Sequence, residues 1–121
     1  MNTPNKIPSL TIDPQWEVSP QKARELLQSG QPFLLLDVRR PNEWQTARID
    51  GAKLIPMDQL TGRLDELSQW REAPVVVHCH HGIRSRKATE WLRQAGFKNV
   101  YSMAGGIEAW SMLIDPTVPR Y

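Results

Sequence analysis

This 121-residue sequence has a single cysteine, Cys79, which cannot close an internal disulfide. Cys79 is therefore read as a free thiol, and the chain is expected in a reducing compartment, the cytoplasm. No apolar run approaches the roughly eighteen residues that a membrane-crossing helix needs. The opening MNTPNKIPSLTIDPQW also lacks the charged-then-apolar order of a secretory signal. Neither sign of charge dominates: 15 Lys and Arg against 13 Asp and Glu give +2, with the basic residues spread along the chain. Composition thus makes no case for a nucleic-acid or membrane partner, and leaves room for a small anionic ligand. There is no internal repeat and no low-complexity tract.

What is present fits one compact domain. Three prolines within the first 14 residues predict an extended N-terminal arm over 1–14, with the folded domain spanning 15–121. Ser19-Pro20 is a helix start, because serine caps orphan amides and proline's fixed φ suits the first helical position. Ala23, Leu26 and Leu27 make that helix's apolar stripe, and Gly30 ends it. The continuous run Phe33 to Leu36 suits a strand covered on both faces, as does Val75 to Val77. Between them lie a helical candidate from Glu43 to Ala47 and a short strand candidate from Ala52 to Pro56. Over 57–70, Leu60, Leu64 and Leu67 stand at helical spacing, broken at Gly62. From Ser85, Ala88, Trp91, Leu92 and Ala95 recur at helical spacing up to Gly96. Val100-Tyr101 reads as a strand, Gly105-Gly106 as a turn and Ile107 to Met112 as a last short helix. Buried strands alternating with amphipathic helices predict an α/β fold with a mostly parallel central sheet and helices on both faces.

On that frame the stretch VVVHCHHGIRSR (75–86) places Cys79 at the carboxyl end of a buried strand, immediately before a loop that feeds a helix. Ligands bind at that edge of open α/β sheets. Gly82 permits the torsions that turn successive amides toward one point, and the helix terminus adds partial positive charge there. These amides, the helix and the guanidinium of Arg84 all favour a charged sulfur over a neutral one. Arg84, Arg86 and Lys87 stand in the first helical turn, where cations oppose the macrodipole. Attraction of a negatively charged substrate accounts for that placement; simple surface exposure is the bland alternative.

The segment CHHGIRS (79–85) resembles the active-site loop of rhodanese-domain sulfurtransferases. LLLDVRRPNEW (34–44), IDGAKLIP (49–56) and MAGGIEAW (103–110) resemble that family's other signatures in the same order. The resemblance covers roughly residues 16–112 and implies a rhodanese-like three-layer fold. It also implies that Cys79, as thiolate, takes the outer sulfur of an anionic donor such as thiosulfate. The sulfur is then held as a persulfide and passed to cyanide, a thiol or a protein acceptor, in a ping-pong cycle. By the same resemblance the loop amides of residues 80–84 stabilise the persulfide, Arg84 helps hold the donor, and His80, His81, Gly82, Ile83 and Ser85 line the pocket. No metal or organic cofactor is implied.

Other readings attach to the same residues. A phosphatase or arsenate reductase of the related fold separates its cysteine and arginine by five residues, whereas four lie between Cys79 and Arg84. A fold retained as a non-catalytic interaction or regulatory module is another reading, although such modules usually lack the cysteine. Free cysteines are also often merely buried. His78, Cys79, His80 and His81 are consecutive, so their side chains diverge, and zinc pairs are normally spaced by two or more residues. His78 is read as a strand residue with a satisfied hydrogen bond. Asp37, Arg39 and Glu43 are read as forming a structural ion pair that fixes a loop.

Overall fold

The computed structural model describes residues 10–121, and the expected arm over 1–14 lies, for residues 1–9, outside the described residues. Two runs of apolar residues build the centre. Leu34–Asp37 (β2) and Val75–His78 (β4) are buried at every position, as strands covered on both faces must be. With Glu17–Val18 (β1), Ala52–Leu54 (β3) and Val100–Met103 (β5) they form a five-stranded sheet in the order β1-β5-β4-β2-β3. All four pairings are parallel. Such pairings need crossovers, and the helices Pro20–Gln28 (α1), Pro41–Thr46 (α2), Ile83–Gln94 (α3) and Gly106–Leu113 (α4) occupy the connections and the C-terminal segment.

Successive strand residues point to opposite faces, so each strand feeds two cores. Leu34, Leu36, Val75 and Val77 pack in one cluster with Leu67, Ala88 and Leu92. Leu35 and Val76 pack in the other with Ala23 of α1 and Ile107 and Trp110 of α4. The result is the expected three-layer α/β architecture. The Ser19 hydroxyl accepts from the Lys22 amide at 3.0 Å and caps α1, as its sequence position predicts.

Two expectations change, and one strand is new. The leucine-spaced segment 57–70 forms 3-10 helices, Met57–Gln59 and Thr61–Trp70, and the backbone leaves helical angles at Arg63 rather than at Gly62. Helix α3 begins at Ile83, two residues before Ser85, which moves its first amides into the cysteine loop. Strand β1 is two residues long, too short to show a period of its own.

The register β2 to β4 sets Asp37 opposite His78, so both strands end level at the same edge of the sheet. Everything described next hangs from that edge.

Candidate active site

Cys79 follows the last residue of β4, and its side chain is only 1% exposed, belonging to the same apolar cluster as Val77 and Ala88. Its sulfur nevertheless collects polar partners. The Gly82 amide donates to Sγ at 3.1 Å and the Ser85 amide at 3.3 Å, while the Ser85 hydroxyl lies 3.4 Å away. The Ser85 Oγ is itself 2.7 Å from the Ser102 Oγ on β5, and both serines are fully buried. Of the loop amides over residues 80–84, that of Gly82 reaches Sγ, joined by Ser85 one position beyond.

Two features turn the loop this way. Gly82 caps α3 with φ +111°, a conformation that strains any residue with a Cβ. Behind the loop, the amides of Ile107 and Glu108 at the start of α4 take the carbonyls of Cys79 (2.9 Å) and His80 (3.1 Å). With those carbonyls engaged outward, the amides of Gly82 and Ser85 face the sulfur. Gly106 makes this contact possible: its φ is +61°, and a Cβ there would stand 2.6 Å from the Cys79 oxygen and also against the His80 oxygen. The sequence reading took Gly105-Gly106 for a turn alone. Replacing Gly106 with alanine combines a left-handed backbone with a backbone clash, and is expected to cost on the order of 3 kcal/mol. Urea unfolding checks this; a loss below about 1 kcal/mol would mean that α4 slides away from the loop at little cost.

The guanidinium of Arg84 points to Glu43, Nη1 to Oε1 at 2.7 Å and Nη2 to Oε2 at 2.9 Å. The pair holds the Glu43 carboxyl down at about 2 and raises Arg84 above its ordinary value. Glu43 therefore belongs to the site's rim, not to the structural pair expected for it. That pair is Asp37 with Arg39, both fully buried, at 2.7 Å. Arg39 also donates to the Ala47 carbonyl at 2.7 Å and to the Tyr121 hydroxyl at 2.9 Å. The Tyr121 hydroxyl in turn donates to Glu43 Oε2 at 2.8 Å. Tyr121 and Ser102 carry no motif-like signal, and Gly106, though inside the stretch MAGGIEAW, shows its contact with the cysteine loop only in the folded chain.

His80 stacks between His81 and Tyr121, with ring centroids 3.9 Å apart on each side. Burial, seconded by His81, lowers its pKa. Ile83, at the tip of the loop, is 76% exposed and makes no wall. Arg86 is drawn off toward Asp13 (3.8 Å) and the Trp16 ring (4.8 Å), which gives it a local role.

His78 corrects an expectation. Among the described residues neither ring nitrogen has a hydrogen-bond partner, and the Asp37 Oδ2 carboxylate oxygen is 3.7 Å away. Burial pushes its pKa below the ordinary histidine value, against a smaller upward pull from Asp37. The fold therefore holds it neutral, while the unfolded chain protonates it near pH 6.5. Stability from this source is fully present above about pH 6.5 and is lost as pH falls below it, by up to about 1.4 kcal/mol per pH unit. Urea midpoints between pH 7.5 and 5 test this, and His78→Gln should flatten the slope. Stability that rises on acidification would show a protonated His78 in the fold.

The family model for the rhodanese-like domain matches residues 19–113, most of the chain and all of this site's loop. The chain belongs to the rhodanese-like domain family. It is 38% identical over 106 residues to a probable adenylyltransferase/sulfurtransferase, MoeZ, of Mycobacterium tuberculosis, a match covering 86% of this chain and 26% of that protein. The chain thus spans about a quarter of that relative's length. Among solved structures, a rhodanese-related protein from Thermoplasma volcanium superposes with a TM-score of 0.74 at 29% identity, covering 88% of this chain and 99% of that one. A human single-domain sulfurtransferase superposes at 0.68 with 28% identity, covering 78% and 93%. In this rhodanese-like domain the cysteine loop, the glycine cap at Gly82 and the α4 contact at Gly106 form one unit. Tyr121 lies beyond the matched stretch.

Proposed function

We propose that this domain is a sulfurtransferase in which Cys79 carries the transferred sulfur as a persulfide. The observation that carries the reading is the sulfur's environment: two backbone amides converge on one side chain at the carboxyl edge of the sheet, beside the start of a twelve-residue helix. A sulfur that accepts from two N–H groups is arranged for negative charge, and a terminal persulfide sulfur is an anion of the same kind. Sulfurtransferase is also the activity that names two proteins this chain resembles, MoeZ and the human single-domain protein.

In the first half of the cycle the Cys79 thiolate attacks the outer sulfur of a donor such as thiosulfate. A new S–S bond forms, the donor's S–S bond breaks, and sulfite leaves with the electron pair. In the second half an acceptor nucleophile takes the terminal sulfur and returns the thiolate; cyanide would leave as thiocyanate. The Ser85 hydroxyl fits both protonation states, accepting from the thiol or donating to the thiolate while Ser102 donates to it. Arg84 is the cation for an anionic donor, and His80 and His81 stand at the rim. A cytoplasmic setting suits a free thiol, and a thiol or a protein suits the acceptor role.

Intact-mass measurement tests the reading: incubation with thiosulfate should add one sulfur atom to the protein, and cyanide should remove it. A wild-type mass that never changes would count against it.

A further inference from the structure

Arg84 can serve an anionic donor only by giving up Glu43. Both terminal nitrogens are taken by Glu43, whose carboxylate is fixed from further directions by the Arg40 amide at 3.0 Å and the Tyr121 hydroxyl at 2.8 Å. Tyr121 is held in turn by Arg39, and Arg39 by Asp37. A continuous line thus runs from the buried end of β2 to the first turn of α3, and its terminal tyrosine lies outside the stretch matched by the family model. We propose that Glu43, held in place by Tyr121, competes with the donor for Arg84 and sets the site's discrimination against small, multiply charged donors. The proposal rests on Cys79 being the sulfur carrier.

The electrostatics supply the reason. A carboxylate whose pKa is held down at about 2 is ionised at every working pH, so the competitor is always present. Tyr121, pushed up to about 12 by burial, stays a neutral hydroxyl and a donor to it. The neighbouring cations are matched in the same way, Arg39 by Asp37 and Arg120 by Glu108. An incoming anion therefore meets amides and a helix end, beside a guanidinium at Arg84 whose charge Glu43 already matches. A dianion such as thiosulfate must displace the Glu43 carboxylate or bear its repulsion twice over; a monoanion bears it once.

The experiment compares thiosulfate with methanethiosulfonate, a monoanionic donor that leaves as methanesulfinate. In Glu43→Gln the KM for thiosulfate is expected to fall about five- to tenfold and that for methanethiosulfonate about two- to threefold, the square root of that factor as the donor charges require. Sulfate, an unreactive dianion, should become a tighter competitive inhibitor by a similar factor. Tyr121→Phe keeps the ring on His80 and removes the hydroxyl, so it should move the thiosulfate KM the same way by about twofold. It decides the question if Glu43→Gln fails to fold. A thiosulfate KM that rises, or a ratio of the two KM values that stays constant, overturns the proposal: Glu43 would then position Arg84 for binding. Intact mass in the same samples separates the two failures. Sulfur loading with an unchanged KM ratio sinks this inference alone, and no loading of the wild type from either donor sinks it together with the reading of Cys79.

Discussion

Serine at position 79 is expected to reduce sulfur transfer by roughly a thousandfold or more, because the nucleophile is the one group that neighbouring interactions cannot replace. A serine hydroxyl fits the space and accepts from the Gly82 and Ser85 amides that now reach Sγ. Its oxygen, however, is a poor nucleophile toward sulfur and stays protonated at neutral pH. The variant should fold with a stability within about 1.5 kcal/mol of the wild type, since the change removes little volume. It should show no gain of sulfur mass with thiosulfate and release no thiocyanate with cyanide. Turnover within tenfold of the wild type would remove Cys79 as the carrier and leave the domain as a fold with an ornamental thiol. The burial of Cys79, 1% exposed, makes the comparison sharper. A thiol this enclosed invites the bland reading of a core cysteine, and only the chemistry of the loop argues otherwise.

Much of this arrangement could be read before any coordinates, and the limits of that reading are physical. Strands β2 and β4 announce themselves because both of their faces are buried, which requires unbroken apolar runs. The Cys79 loop is legible because its parts are contiguous: a strand end, a glycine and a helix start within seven residues. Residues that reach the site from far away in sequence are not legible. Ser102 comes from β5 and Tyr121 from the end of the chain, and each is an ordinary residue until the fold sets it beside Ser85 or Glu43; Gly106 stands in a recognisable stretch, but its contact with the cysteine loop appears only in the fold. Glu43 was misassigned for the same reason. Sequence proximity grouped it with Asp37 and Arg39, whereas its partner is Arg84, 41 positions on. His78 was misjudged because strand position gives no information about whether a buried ring nitrogen finds an acceptor. The Trp16 ring lies under the guanidinium of Arg93 at 4.5 Å, a contact that again depends on the fold.

The second large effect is expected at the buried end of β2, where Asp37→Asn should destabilise the domain by about 3–5 kcal/mol. Asp37 accepts four hydrogen bonds of 2.7 to 3.1 Å from the amide and guanidinium of Arg39, and both residues are fully buried. Burial works against the charge of Arg39, yet bonds from Asp37 and Tyr121 hold its pKa above the ordinary value, so the cation is kept where water cannot reach it. Asparagine preserves shape and removes the balancing charge, leaving a guanidinium with no counterion. Against a total of about 5–15 kcal/mol for a domain of this kind, that is a large fraction, and urea unfolding would register it directly. The double change Asp37→Leu with Arg39→Met discriminates the cause. If the cost comes from the orphaned charge, removing both charges should recover a substantial part of it, even though the bonds to Ala47 and Tyr121 are lost. If the cost comes instead from those outgoing bonds of Arg39, the double variant should be no better than the single one. The single variant should also loosen the line through Tyr121 to Glu43, so its thiosulfate KM should fall in the direction of Glu43→Gln while its stability falls far more.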